Sequence, residues 1–529
     1  MGDLAPLATQ PDALPDLAPA PVTAPPAHSS GPAPARGPAW LIPGCAALAT
    51  LAVMLWRIGV PSFWRDEGAT LSAAHRSFPQ LIRLLGHMDA VHGAYYLLIW
   101  LLVRVAGSGE LALRLPSAVA MAAAAGLLTA LGRRLVSPAA GLAAGLAFAA
   151  IPAVSWFGQD ARPFALETAA ATAASYCFVR FLEDRAGRWA GWYAVSLAGL
   201  GLADIFGLLL IAAHGTTLLV LHRQRGRQDG RRLGRRWLAT VTVAVVALLP
   251  LEVLAWSQRG QVNWLRTPLA ASLANTGRLA GTPGALLTVA VVMAAALTVT
   301  ALAGWSRFAA AWPSRLTALG LPWLLVPPAL LIAVSQVQPV YTFRYIVFCE
   351  PAVALLIGAG LAALGRVAGP AGLVLIVLAG LPAQLGERGP DGHSDNIRGM
   401  DQIIAQHARP GDGVIYPQGP GMTSFAAGYP YGLARLRDLS TGRSPAQAGT
   451  ISGSNAPWRV VRGRLSQVSR VWVAEADAPL PGRPLVLRGE PFQLIHRWQV
   501  SDIWLWLYHR QHWRPDGRQD GRAHRPDPD

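Results

Sequence analysis

Four short polar clusters stand out of an otherwise apolar chain: Asp66-Glu67, Asp89 with His92 and Tyr95, Gln159-Asp160-Ala161-Arg162, and Tyr341 with Arg344-Tyr345. Carboxylates, guanidinium groups and aromatic rings at the edges of apolar runs suit group transfer at a membrane surface. A carboxylate within about 3 Å of an acceptor hydroxyl can take its proton. Arginine grips phosphate oxygens in a bidentate fork, which suits a lipid-phosphate leaving group. Aromatic rings can stack on a sugar or flank a prenyl chain. The sequence holds no G-x-x-x-x-G-K-[ST] and no G-x-G-x-x-G loop, so the activated group must arrive on its own carrier rather than through ATP.

Each cluster also has a plainer reading. Asp66-Glu67 suits a solvated cap on a helix, and Asp89 an N-cap. Arg162 and Arg344 suit interfacial anchors whose stems lie along apolar surface. Deeper ionisable residues, Glu167, Asp204, His214, Glu252 and Glu350, are costly if they face lipid. Asp204 reads as a turn between two runs, Glu252 as close enough to a membrane end to reach water, and Glu350 as lining an internal cavity. His509 and His512 lack a Cys or acidic partner, and no D-x-D pair has evident ligand spacing. The expectation is no cofactor, with a divalent metal unsupported. Cys45, Cys177 and Cys349 lie in apolar stretches and read as buried thiols.

The elements that must position these clusters follow from composition. Of 529 residues, 52% are hydrophobic and 14% charged, against about a quarter charged in soluble domains. The net charge is +16, and every basic side chain other than histidine is Arg. Apolar runs separate the arginines at loop-sized intervals, which fits membrane topology and disfavours nucleic-acid binding. Runs long enough to cross about 30 Å of hydrocarbon lie near 39–60, 115–132, 137–156, 163–181, 189–203, 205–221, 237–255, 284–304, 316–335, 345–364 and 367–385. A shorter run at 93–107, carrying Arg104, is the candidate for a partial or re-entrant helix.

Arg133-Arg134, Arg180, Arg185, Arg188, the 223–236 cluster, Arg307, Arg315 and Arg366 are assigned to the cytoplasm by the positive-inside rule. The polar clusters then share the outer face. The expected architecture is an all-α polytopic membrane domain of about 11 transmembrane helices over 39–385, followed by a small extracytoplasmic α/β domain over 386–513. That domain should hold a helix at 397–408, a turn at 410–411 and strands at 413–417, 469–475, 484–488 and 501–508. The Pro/Ala-rich segment 1–38 and residues 514–529 read as disordered tails. The chain is expected in the plasma membrane, with the N-terminus cytoplasmic and the C-terminal domain outside.

In order and spacing, Asp66-Glu67, Asp89…His92…Tyr95-Tyr96, Leu113-Arg114-Leu115-Pro116-Ser117 and Gln159-Asp160-Ala161-Arg162-Pro163 resemble the GT-C glycosyltransferases. The nearest likeness is to glycosyltransferase family 39, the protein O-mannosyltransferase and aminoarabinose-transferase branch, over roughly residues 40–365. The resemblance implies an inverting transferase that moves a sugar, of mannose type, from a polyprenyl-phosphate donor to an extracytoplasmic glycan, lipid or protein acceptor. It implies that Asp66 is the general base and that Glu67 orients or shares the proton. Asp89 and His92 would shape the acceptor side. Asp160 and Arg162 match the family's second polar cluster, and Arg344 an Arg-Tyr at the start of a late span. With them, Tyr95, Gln159, Tyr341 and Tyr345 complete the expected substrate-binding set. The chain departs from the family at His92-Gly93-Ala94, where many members have His-Pro-Pro, and at Asp160, where many have Glu. Two rival readings stay open, a flippase or transporter of lipid-linked sugars and a non-catalytic envelope-assembly protein. Acids gathered at outer helix ends favour the transferase over a transporter with a midplane site.

Overall fold

The computed structural model describes Gly2 and residues 38–511 apart from 185, 223–226, 263–264, 266, 281, 394, 418–419, 477–486 and 488. The expected tail at 514–529 and nearly all of the one at 1–38 lie outside the described residues, as does almost all of the expected strand at 484–488. From Trp40 onward the chain forms one compact unit.

Each apolar run of the sequence is helical. The helices are α1 (Leu41–Leu55), α2 (Arg65–Ala74), α3 (Phe78–His87), α4 (Gly93–Ala106), α5 (Glu110–Leu135), α6 (Pro138–Ala150), α7 (Pro152–Gly158), α8 (Phe164–Glu183), α9 (Arg188–Ala203), α10 (Leu209–His222) and α11 (Arg227–Ser257). They continue with α12 (Leu269–Thr276), α13 (Pro283–Leu302), α14 (Trp305–Ala311), α15 (Ser314–Ser335), α16 (Glu350–Ala363) and α17 (Gly365–Glu387). By length and composition, seven helices among the described residues can cross a membrane, or eight if the bent α6–α7 pair is one span. The protein is an integral membrane protein. At 1.5 Å per residue, the 14 residues of α4 reach about 21 Å, short of the hydrocarbon thickness.

Local chemistry sets the breaks. Ser137 caps α6, its hydroxyl accepting from the Ala140 amide at 3.1 Å, as N-cap serines do. Pro152 ends α6 because it lacks an N–H and forces Ile151 into extended backbone, and the chain bends there by 68°. Small residues let helices close in. A Cβ on Gly358 of α16 would lie 2.5 Å from the Ala144 nitrogen of α6, the small-residue packing typical of membrane bundles. The ends of α5, α8 and α15 meet where Glu183 takes both Arg134 (2.5 Å) and Arg315 (3.4 Å).

Beyond α17 the chain builds a mixed domain. It holds α18 (Ile397–His407), β1 (Gly413–Ile415), β2 (Arg437–Asp438), β3 (Thr441–Arg443), α19 (Pro445–Ala448), β4 (Ser454–Asn455), α20 (Trp458–Leu465), β5 (Arg470–Ala476), β6 (Phe492–Val500) and β7 (Ile503–Arg510). Five strands run in the order β2-β1-β5-β7-β6, with β2, β1 and β5 parallel and β7 and β6 antiparallel. The sequence reading missed β6, whose side chains are mostly exposed and whose register slips between Leu494 and His496.

This domain is not an appendage. Val414, Phe425, Trp472 and Leu505 share one buried core with Phe63, Leu71, Leu81 and Tyr95 of the α2–α4 region. Gly68 is a necessary glycine, since a Cβ there would meet the Phe425 ring at 2.6 Å. The Tyr429 hydroxyl accepts from the Phe63 amide at 2.8 Å, and Asp395 accepts from the Arg65 amide at 2.8 Å and from its Nε at 3.0 Å. The start of α2, which carries Asp66, is therefore gripped from the far end of the sequence.

Candidate active site

A cavity of about 920 Å³ opens where α2, the 88–92 loop, the α9–α10 turn, the C-terminal end of α11 and the segment before α16 converge. Asp66, Asp89, His92, Arg162, Arg344 and Tyr345 line it, so one residue or more from each of the four sequence clusters meets there. Asp66 stands in the first turn of α2 and forms an ion pair with Arg344.

Asp89 has a left-handed backbone (φ 60°), which Asp tolerates better than most residues. Its Oδ2 accepts from the Tyr96 hydroxyl at 2.6 Å, and Tyr96 in turn accepts from Arg162 Nη1 at 3.1 Å. Burial alone would raise the Asp89 carboxyl. The neighbouring His92, Arg162 and Tyr96 outweigh it and hold that group below the usual carboxylate range. Arg162 is buried with its Nε unpartnered among the described residues. Although burial disfavours its charge, Tyr96, Asp66 and Asp89 hold it firmly protonated. Such a cation is primed for a further anion.

His92 stands between two carboxylates, its Nδ1 3.4 Å from Asp89 and its Nε2 3.9 Å from Asp204. Neither contact has hydrogen-bond geometry. Asp204, read from the sequence as a turn, does cap that turn through Phe206 N at 2.9 Å, yet it also lines the cavity. Burial pushes its carboxyl up against the pull of His92. Its position between two apolar runs was the only signal. Glu252 reaches the same cavity.

A second cavity of about 460 Å³ shares Arg344 with the first and is walled by Trp64, Trp156, Phe157, Phe164 and Phe343 together with Arg278. Arg278 lies over the Phe343 ring, 5.5 Å from its centroid. Trp64 and Arg278 belong to no cluster recognised in the sequence.

The other expected site residues lie behind the cavity walls. Glu67 is fully buried against Arg114, which grips it with Nε (2.8 Å) and Nη2 (2.7 Å). Its oxygens also accept from the amides of Ala161 (2.8 Å) and Trp64 (3.3 Å), leaving it placed to tie loops together rather than to share a proton in the cavity. Gln159 donates to the carbonyls of Met54 (2.7 Å) and Trp56 (2.9 Å) at the end of α1. Asp160 is buried and accepts from Trp64 Nε1 at 3.0 Å. Burial and the nearby Glu67 push its carboxyl well up despite that bond. Tyr341 pairs with the Thr276 hydroxyl at 2.8 Å, and Tyr95 is buried with its hydroxyl unpartnered among the described residues. Scarcity of charge marked Glu67 and Asp160, and closeness to charged residues marked the others, but neither signal says which side of a wall a side chain takes. Arg114, an arginine inside an apolar helix, was the visible sign that Glu67 had a partner. Among the described residues no three His, Cys, Asp or Glu side chains gather as a metal-binding set.

Residues 94–256 match the family described as dolichyl-phosphate-mannose-protein mannosyltransferase. The fold is similar to that of ArnT from Cupriavidus metallidurans. The apo crystal structure matches with a TM-score of 0.58 at 13% identity, over 88% of this chain and 97% of that one. The structure bound to undecaprenyl phosphate matches at 0.56 and 14% over the same shares. The mycobacterial arabinofuranosyltransferase AftD matches at 0.41 and 17%, over 88% of this chain and 41% of its own. No curated protein matches the chain.

Proposed function

We propose that this chain is a GT-C-type glycosyltransferase, a reading that the family match and the ArnT-like fold support, and that it transfers a glycosyl group from a polyprenyl-phosphate donor to a hydroxyl on an extracytoplasmic acceptor. The observation that carries the reading is the larger cavity, where a carboxylate in an apolar protein faces two buried or half-buried arginines and a histidine. Asp66 takes the proton of the acceptor hydroxyl. The oxygen attacks the anomeric carbon, and the bond to the phosphate oxygen breaks on the opposite face, inverting that centre. The departing lipid phosphate keeps the electron pair and needs no protonation. Arg344 and Arg162 receive its charge, an electrostatic stabilisation that preorganised cations supply in a site shielded from water.

Arg278 and the aromatic walls of the smaller cavity suit the phosphate end and the first prenyl units of the donor. The bound lipid named for one ArnT structure supports a polyprenyl-phosphate carrier, and the matched family's description favours a mannose-type hexose. The Arg-rich helix ends face the cytoplasm and the site lies outside, by the positive-inside rule. Glu67 acts by holding the loop, and the Arg114 fork supports that role over proton sharing.

The test is a transfer assay on purified protein, offering radiolabelled polyprenyl-phosphate sugars and a cell-envelope extract to the wild type and to Asp66→Asn. Label moving only with the wild type is expected. Saturable donor binding without transfer would favour the flippase or the non-catalytic binder.

A further inference from the structure

The left-handed backbone at Asp89 is held from outside its own segment. The Asp89 amide donates to Gln261 Oε1 at 3.2 Å, and the Ala90 amide donates to Gln258 Oε1 at 2.9 Å. Both glutamines lie just past the C-terminal end of α11 and line the larger cavity, some 170 residues away in the chain. Each also donates back to the end of α3, Gln258 Nε2 to the Leu85 carbonyl at 2.9 Å and Gln261 Nε2 to the His87 carbonyl at 3.5 Å. Helix ends leave carbonyls and amides without intrahelical partners. Here two side-chain amides bridge the last carbonyls of α3 to the amides of the turn that follows.

We propose that Gln258 and Gln261 are positioning residues: they clamp the 85–90 backbone so that the Asp89 carboxylate meets Tyr96 and His92 at the cavity wall. The pairing is specific in chemistry, since only a side chain with both an acceptor and a donor can close the two ends of that loop. It also makes the C-terminal end of α11 part of the site, because a shift there moves Asp89. The clamp itself rests on geometry alone, and its effect on turnover rests on the transfer reaction proposed above.

Two measurements on the full-length protein decide it. Hydrogen exchange should show the Asp89 and Ala90 amides protected in the wild type. Gln261→Ala should release the first and Gln258→Ala the second, while Gln258→Glu, which keeps an acceptor oxygen, should retain protection at Ala90. Unchanged exchange in the Ala variants overturns the clamp, whatever the enzyme does. In the transfer assay, Gln258→Ala/Gln261→Ala should lose roughly tenfold to hundredfold in kcat/KM, the scale of a misplaced catalytic-site group. In an Asp89→Asn background the same pair should cost little more, because the clamp acts through Asp89. Equal losses in both backgrounds would show a general structural role and overturn the positioning claim. A wild type that turns over no donor refutes the proposed reaction, and the exchange result still judges the clamp.

Discussion

Asp66 and Arg344, 278 residues apart in sequence, form an ion pair at the wall of the larger cavity. The proposed base is thus held by one of the arginines proposed to receive the lipid phosphate. A donor phosphate that takes Arg344 releases Asp66, which makes the base available once the donor is in place. Asp66→Asn is expected to lower kcat by about 10²–10⁴-fold, the usual contribution of a positioned general base. The same variant should bind polyprenyl phosphate at least as tightly as the wild type, because Arg344 no longer faces a competing carboxylate. Titrating lipid phosphate against both proteins checks this, and weaker binding by the variant would refute the exchange.

Glu67→Ala should fail in a different way. It leaves Arg114 charged, fully buried and without its fork, and breaking a buried pair by removing one partner costs about 3–5 kcal/mol. The expected outcome is a large fall in melting temperature or yield. A stably folded variant with lost turnover would restore the proton-sharing role.

The packing of Gly68 on Phe425 predicts that Gly68→Ala destabilises by about 1–3 kcal/mol, the range for overpacked sites. It should also impair transfer, since Gly68 lies two residues from Asp66. Phe425→Leu should recover part of both losses when combined with it. Recovery of neither, read by thermal melts and turnover of the double variant, would show that the contact does not transmit to the site.

Asp160 sets a pH dependence. Its carboxyl, with an ordinary value of 3.8, is raised in the folded protein, so the folded state binds more protons between the two values. Stability then falls as pH rises through that window. Asp160→Asn keeps an acceptor for Trp64 and removes the titration. The variant and the wild type should melt alike below about pH 4, with the variant becoming the more stable of the two toward neutral pH. An identical difference at every pH would contradict this.

The helical bundle was legible because hydrocarbon demands long apolar runs, and each run became a helix. The site was legible in part. Asp66, Asp89, Arg162 and Arg344 stand out as rare charges at run ends, and topology alone brings run ends together. The same signal chose Asp160, and Gln159 beside it, which face inward to Trp64 and to Met54 and Trp56. Gln258 and Gln261 carry no charge and sit where any polar residue would, so nothing in the sequence tied them to Asp89. Arg278 lay in a segment read only as a loop.

The grip of Asp395 on Arg65 spans 330 residues. Synthesis runs from the N-terminus, so the start of α2, with Asp66, is among the first parts of the protein to leave the ribosome. The groups that fix its shape, Asp395, Phe425 and Tyr429, are made only after the last helix of the bundle. Contacts of such long sequence separation form late in folding. The bundle is therefore inserted before its candidate site is complete, and a nascent chain halted short of residue 395 would sit in the membrane with the start of α2 not yet held in place.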